Sequence, residues 1–66
     1  MMSKTDQERI ESFGLIYVSK EEVKQKYENN EEVYVWDLRD YSSFLIDKDH
    51  DLESLITNVD FIFFQE

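Results

Sequence analysis

Two stretches of the sequence, residues 33–38 and 59–64, carry apolar side chains on both sides of a β-strand pattern. Successive side chains of a strand point to opposite faces, so a sheet built from these stretches is apolar on each face. In the first stretch, one side has Val33 and Val35 and the other has Tyr34, Trp36 and Leu38. In the second, Val59, Phe61 and Phe63 oppose Ile62 and Phe64. The fold therefore has to cover two apolar faces.

That cover has to come from 66 residues that include no cysteine. A domain of this size buries only about 60% of the surface of its unfolded chain, and without cysteine neither a disulfide framework nor a thiolate metal site can stabilise it. The sequence has no internal repeat and no linker rich in proline, glycine or serine. We therefore expect a single acidic domain, residues 1–66, with residues 1–4 frayed.

Cap residues predict three short helices. Thr5 and Ser19 each stand three positions before a glutamate, the spacing of a capping box. The predicted helices span residues 5–13, residues 21–28 and a short segment that begins after Asp49 or Asp51, and the first of them places Ile10 and Phe13 on one apolar face. The predicted stops are Gly14, Asn29 with Asn30, and Asn58, of which Gly14 and Asn58 are expected in the left-handed conformation.

Strands are predicted between these helices, at residues 15–18, 33–38, 44–47 and 59–64, because the segments are rich in β-branched and aromatic residues. An alternative for residues 40–46 is a helix capped by Asp40, with Tyr41, Phe44 and Leu45 at helical spacing. The fold class that results is α+β: a small single domain with a three- or four-stranded, mostly antiparallel sheet and two or three short helices.

The predicted helices offer only narrow apolar stripes to the sheet. We expect one sheet face to be covered within the chain and the other by a second protein or a second copy of this chain, which would make a homodimer through that apolar face. The alternative needs no partner, because tyrosine and tryptophan side chains can lie half-buried with their polar tips in water.

Several kinds of reaction chemistry are excluded by the residue types present. One glycine cannot supply the glycine-rich loops that hold phosphates, and His50, the only histidine, lies between two aspartates in what reads as an exposed turn. Paired carboxylates need a partly apolar cleft to separate their pKa values, and a chain of this length rarely encloses one. We predict that the protein is not an enzyme and has neither catalytic residues nor a cofactor.

The segment from Asp47 to Asp51 has the alternating carboxylates of a calcium loop, but the remainder of the loop is missing. The sixth position is Leu52 where glycine is needed, and the twelfth is Asn58 where a bidentate glutamate is needed. We therefore predict no metal site and interpret these aspartates as helix-capping residues.

Charge constrains the partners. Sixteen Asp and Glu against seven Lys and Arg give a net charge of -9, which disfavours direct binding to nucleic acid or to an anionic membrane. Residues 34–66 hold eight acids and two bases, so the C-terminal half is the more negative. The longest apolar runs have four residues, too few for a membrane span or a signal peptide. We expect a cytoplasmic protein with a basic protein partner.

The candidate partner-binding surface combines the acids around the predicted turns with nearby aromatics. It comprises Glu31, Glu32, Tyr34, Trp36, Asp37, Asp40, Tyr41, Asp47, Asp49, Asp51 and Glu53. Carboxylates about 5 to 7 Å apart on helices or strands can imitate a phosphate ladder. The first functional hypothesis is thus a small inhibitor, a nucleic-acid mimic that blocks the basic surface of a nucleic-acid-binding host or defence protein.

Two other hypotheses remain open. One is an antitoxin or immunity-type inhibitor, or an adaptor subunit, that covers a basic partner without mimicry. The other is a homo-oligomeric accessory protein. The chain has no alanine or proline and abounds in Lys, Asn, Ile, Tyr and Phe, residues that AT-rich codons encode, so we expect a low-GC genome such as that of a bacterium, its phage or a mobile element.

Overall fold

The fold is known from a computed structural model that describes residues 5–66, so the prediction of fraying at residues 1–4 lies outside the described part of the chain. The elements in chain order are α1 (Asp6–Ser12), β1 (Ile16–Val18), α2 (Lys20–Glu28), β2 (Tyr34–Asp37), β3 (Ser42–Leu45), α3 (Leu52–Thr57) and β4 (Phe61–Gln65). The longest helix, α2, has nine residues, and no helix in this range has the length and apolarity to cross a membrane.

The four strands form one antiparallel sheet in the order β1-β4-β2-β3. The C-terminal strand β4 therefore lies inside the sheet, paired with β1 on one side and β2 on the other. Trp36 on β2 lies opposite Ile62 on β4 and opposite Ser43 on β3. The predicted α+β class is confirmed, with a four-stranded antiparallel sheet and three short helices.

The first sheet face carries the larger core, and α2 and α3 cover it. Val23 of α2 and Leu55 of α3 pack on the sheet residues of this face. The buried members of the cluster are Val18, Val23, Val33, Val35, Ile46, Leu55 and Phe63. The predicted division of residues 33–38 between two faces is confirmed, since Val33 and Val35 lie here and the aromatic residues of the same stretch lie on the other side.

The second sheet face is covered by α1, and that cover is partial. Ile10 is the buried residue of α1 and packs with Ile62 and Phe64. Around them lie partly buried side chains: Leu15, Tyr17, Tyr34, Trp36 and Leu38. The chain thus places some cover on both faces, and Tyr17, Tyr34 and Trp36 are half-buried on the second face. Whether a partner completes this cover stays a prediction.

The helix ends confirm the predicted signals at Thr5 and Gly14 and correct those at Ser19 and Asn58. Thr5 Oγ1 accepts from the Glu8 N–H (3.2 Å) and Gly14 has φ 75°, as expected of a cap and a left-handed stop. Ser19 precedes α2, but its side chain makes no cap bond to a backbone N–H; its hydroxyl donates to Glu22 Oε1 instead (2.8 Å). The left-handed prediction for Asn58 is wrong, because φ -78° and ψ 120° place it in extended backbone.

Two strands begin two positions away from the prediction, β3 at Ser42 and β4 at Phe61, because the turns before them have other lengths than expected. Residues 42–45 form a strand, so the helical alternative for residues 40–46 is wrong and the strand begins two positions before the prediction. Asp40 does not cap a helix; its carboxylate accepts from the Ser42 N–H in the hairpin turn. At the C-terminus, Val59 precedes β4 and is 83% exposed.

The single buried anchor of α1 gives a stability prediction. Ile10→Ala should lower the free energy of unfolding by about 2 to 5 kcal/mol, because a fully buried branched side chain is lost and leaves a cavity. Gln7→Ala in the same helix is the matched control, since Gln7 is exposed and such changes usually stay within about 0.5 kcal/mol. Urea denaturation followed by circular dichroism measures both; equal effects would show that Ile10 is not the anchor.

Candidate protein-binding surface

The carboxylates of Asp37 and Asp40 stabilise the hairpin between β2 and β3 through hydrogen bonds. Asp37 is 7% exposed and accepts from the Arg39 N–H (2.9 Å) and from the Arg39 guanidinium, Nε to Oδ1 at 3.1 Å and Nη2 to Oδ2 at 2.8 Å. Asp40 Oδ1 accepts from the N–H and the hydroxyl of Ser42, at 3.0 and 2.7 Å. These bonds fix both ends of the four-residue turn 38–41.

The last residue of that turn, Tyr41, has a backbone conformation that its side chain disfavours. Its φ is 60°, in the left-handed region, where residues other than glycine, asparagine or aspartate are uncommon and strain of order 1 kcal/mol or more is stored. Its N–H donates to the Asp37 carbonyl (2.8 Å), and its side chain is 72% exposed. The turn therefore holds a large aromatic ring in water.

Tyr41 is one of three aromatic residues that meet on the second sheet face. Phe13, at the end of α1, packs edge-on against Trp36 with ring centroids 5.3 Å apart, and Trp36 packs edge-on against Tyr41 at 6.3 Å. Phe13 is itself 65% exposed. We call the surface formed by Phe13, Trp36 and Tyr41 the aromatic groove.

Two shallow depressions adjoin the aromatic groove. One, of about 260 Å³, is completed by Leu15, Ser43 and Phe64. The other, of about 290 Å³, is completed by Arg9, Ser12 and Leu38. Because the rings separate two depressions lined mainly by apolar side chains, the surface can receive side chains of another protein on either side of Trp36.

Fourteen of the sixteen carboxylate side chains are exposed, the exceptions being Asp37 and Asp60. They are carried by helices on both sides of the sheet and by loops at both ends of β2. Glu31 and Glu32 lie at the start of β2, where Gln65 Nε2 donates to Glu31 Oε1 (3.3 Å) and to the Glu32 carbonyl (3.0 Å). Negative charge thus surrounds the protein instead of marking one face.

Tyr34 belongs to the same end of β2. It shares the second sheet face with Trp36, but its ring stacks on Phe64 with centroids 5.4 Å apart. Its hydroxyl donates to Glu66 Oε1 (3.1 Å), and this hydrogen bond to a carboxylate raises the pKa of Tyr34. The predicted anchors Tyr34 and Trp36 therefore share a face but lie in different surroundings.

The predicted acids from Asp47 to Glu53 occupy the β3–α3 loop and the start of α3. Asp47 N–H donates to His50 Nδ1 (3.1 Å), and Asp47 Oδ1 accepts from the Asp49 N–H (2.9 Å). His50 Nδ1 also lies 3.3 Å from Asp47 Oδ1. Asp51 caps α3 by accepting from the Glu53 N–H (3.2 Å). Within residues 5–66, no group of three or more possible metal ligands forms.

The predicted site residues therefore fall into three groups. Trp36 and Tyr41 meet in the aromatic groove. Asp37 and Asp40 hold the hairpin turn, and the carboxylate of Asp37 is paired within the chain by Arg39. Glu31, Glu32, Tyr34, Asp47, Asp49, Asp51 and Glu53 lie at the other end of β2 or in the loop and helix after β3.

Phe13 was missed as a surface residue. The helical spacing places Phe13 on one apolar face with Ile10, but α1 ends at Ser12 and Phe13 is its C-cap. Its position directly before the left-handed Gly14 is the signal that could have separated the two residues.

The groups that line the groove are suited to binding. Aromatic and aliphatic side chains provide contact area, and the hydroxyls and the Arg9 guanidinium can hydrogen-bond a partner.

Comparisons with protein families, curated proteins and solved structures gave no match. That the chain is not an enzyme stays a prediction.

The hairpin geometry predicts how stability depends on pH. Hydrogen bonds from the Arg39 guanidinium and N–H hold the pKa of Asp37 below its ordinary value of 3.8. The carboxylate therefore contributes stability that is complete above the unfolded pKa and is lost as pH falls through the lower folded value. Asp37→Asn should be less stable than the wild-type chain at neutral pH, and this difference should shrink as the pH falls below about 4.

Urea midpoints across the acidic range measure that difference. Asp49→Asn is the matched control, because its exposed carboxylate belongs to the next loop. A difference between wild type and Asp37→Asn that is constant with pH would show that the ion pair with Arg39 is not the cause.

Proposed function

We propose that this chain is a small acidic inhibitor that binds a basic protein in the cytoplasm, with the aromatic groove as its anchor. The observation that carries the proposal is Tyr41. The residue is 72% exposed. Its backbone has φ 60° in a turn that the carboxylates of Asp37 and Asp40 stabilise. Strained residues collect at functional sites, and a large exposed aromatic beside a tryptophan is the residue type that dominates protein interfaces.

The charge supports a basic partner. A net charge of -9 with fourteen exposed carboxylates attracts a positive surface from a distance, while buried aromatic contacts determine how long the complex lasts. The same charge disfavours the association of two copies of this chain, so the homo-oligomeric alternative receives less support than a complex with a second protein.

The basic surface that we propose as the target is a nucleic-acid-binding surface of a host or defence protein. The carboxylates lie on both sides of the sheet. This distribution supports electrostatic attraction to such a surface more strongly than it supports imitation of a phosphate ladder on one face. An immunity-type inhibitor or an adaptor that covers its partner without mimicry would use the same groove. Competition separates these hypotheses: nucleic acid should displace the chain from its target only if the two share a surface.

The first experiment is capture of the partner from a bacterial lysate on the immobilised chain, followed by mass spectrometry. The proposal expects a basic protein, and a nucleic-acid enzyme among the captured proteins would support the nucleic-acid-binding target. Recovery of this chain alone would contradict it and favour the homo-oligomer.

Tyr41→Asn tests the anchor without removing core. Asparagine tolerates the left-handed backbone, so relief of strain should offset the lost ring contact with Trp36, and the free energy of unfolding should change by about 1 kcal/mol or less. Binding to the captured partner should weaken by about 2 kcal/mol or more, roughly thirtyfold in Kd. Calorimetry measures both quantities.

Tyr41→Phe is the matched control, because it keeps the ring and the backbone strain and should bind within about threefold of the wild-type chain. Trp36 is less suitable, since it packs against the second core as well and its removal would also affect folding. If Tyr41→Asn folds and binds like wild type, the groove is not the anchor.

Salt provides an independent test of steering. The association rate with the captured partner should fall steeply as the ionic strength rises past about 0.1 M, where the Debye length is near 10 Å, while the dissociation rate changes less. Stopped-flow or biosensor kinetics separate the two rates. An association rate that does not depend on salt would contradict electrostatic recognition.

A further inference from the structure

The outer edge of β3 presents backbone groups that the sheet does not use. Ile46 N–H donates to the Val33 carbonyl of the neighbouring strand segment (3.0 Å). Since bonding alternates along an antiparallel strand, Phe44 also bonds toward β2 in this register, whereas the N–H and C=O groups of Ser43 and Leu45 point away from the sheet. Both residues are exposed. We call this row the β3 edge.

The β3 edge is better suited to pairing than the other edge of the sheet. β1 has three residues. Its register with β4 places Ile16 opposite Gln65 and Val18 opposite Phe63, so within this strand the backbone N–H and C=O groups of Tyr17 are the ones that point away from the sheet. The sequence of β3, Ser42–Leu45, contains no proline or lysine, residues that commonly block edge pairing.

The β3 edge also adjoins the aromatic groove. Ser43 lies opposite Trp36 in the sheet and lines the same depression as Tyr41. A strand added beside β3 would lie about 4.8 Å away from it, and alternate side chains, about 6.7 Å apart, would point toward the groove side of the sheet. Backbone pairing and side-chain docking would then occur together, which is how strand-addition complexes gain both affinity and specificity.

Charge selects the occupant of this edge. Residues 37–51 contain five acids and two bases, and the carboxylate of Asp37 is already paired with Arg39. Asp40 lies before β3, and Asp47 and Asp49 lie after it, all exposed. A second copy of the chain would bring a further net charge of -9 to this edge, whereas lysine and arginine side chains of a basic segment would meet carboxylates at both ends.

We propose that an extended basic segment of the partner protein pairs with the β3 edge as a fifth strand and places alternate side chains in the aromatic groove. This inference rests on the proposed function and specifies the form in which the partner is recognised. β3 itself has four residues, so an extended segment of about seven residues spans it and reaches one or two positions beyond each end, toward the flanking carboxylates.

The probe is a synthetic peptide of about that length in which lysine or arginine alternates with valine. The matched control peptide has glutamate in place of each basic residue. Hydrogen exchange followed by NMR is measured on the full chain with and without the peptide. The basic peptide should slow exchange of the Ser43 and Leu45 amides at least tenfold and leave the Tyr17 amide unchanged, whereas the acidic peptide should protect neither strand.

Ser43→Pro tests the backbone bond directly. The Ser43 N–H faces away from β2, so proline removes an outward donor without breaking the ladder, as edge strands allow. It should weaken binding of the basic peptide at least tenfold and clearly more than Ser43→Ala does, because alanine keeps the N–H and loses only the hydroxyl. Should Ser43→Pro fail to fold, as circular dichroism would show, the exchange data on the wild-type chain decide.

The outcomes separate this inference from the proposed function. No binding of the basic peptide, or binding without protection of Ser43 and Leu45, overturns strand addition, and the proposed function still stands if Tyr41→Asn loses the captured partner. Protection that rises with protein concentration and needs no peptide assigns the edge to a second copy and overturns the basic segment. Protection by the basic peptide together with the loss in Ser43→Pro supports it.

Discussion

The position of β4 inside the sheet is the constraint on which the rest of the structure depends. This strand pairs with both β1 and β2, and its consecutive residues Ile62, Phe63 and Phe64 are all buried. Because their side chains alternate, one strand contributes to two cores, one under α2 and α3 and one under α1. A chain with no disulfide can fold at this size because a single apolar strand serves both layers.

The two layers are unequal, and this inequality creates the candidate site. Among residues 5–66, the first core has seven buried residues and two helices above it, whereas the second has three buried residues and one short helix. On the second face the remaining area is filled by large aromatic side chains whose edges stay in water. The aromatic groove is thus the part of the second sheet face that one helix cannot cover.

Much of this fold could be predicted from the alternation of apolar residues and from cap residues. Residues 33–38 show their two-faced pattern in the sequence, and Thr5 and Gly14 mark the ends of α1 as expected. The alternation of apolar residues does not predict the backbone conformation of a turn. The β3 strand began earlier than predicted because Asp40 bonds Ser42 and closes the hairpin. For the same reason, the meeting of Phe13, Trp36 and Tyr41 could not be predicted, since it depends on where a helix end and a turn come together.

The weak attachment of α1 has a consequence for the dynamics of the groove. Each helix has one buried side chain, but Tyr27 of α2 and Leu52 and Ile56 of α3 add apolar contacts with the core, whereas α1 contributes Ile10 alone. Among the helices, α1 is therefore the one most easily released by local opening, at a free energy below that of global unfolding. Opening α1 would carry Phe13 away from Trp36 while the core under α2 and α3 persists. The groove therefore exists only in the closed state, and any ligand that contacts Phe13 and Trp36 together also favours that state. Affinity and helix docking are then linked, so substitutions in α1 that never touch a partner will change how tightly it binds.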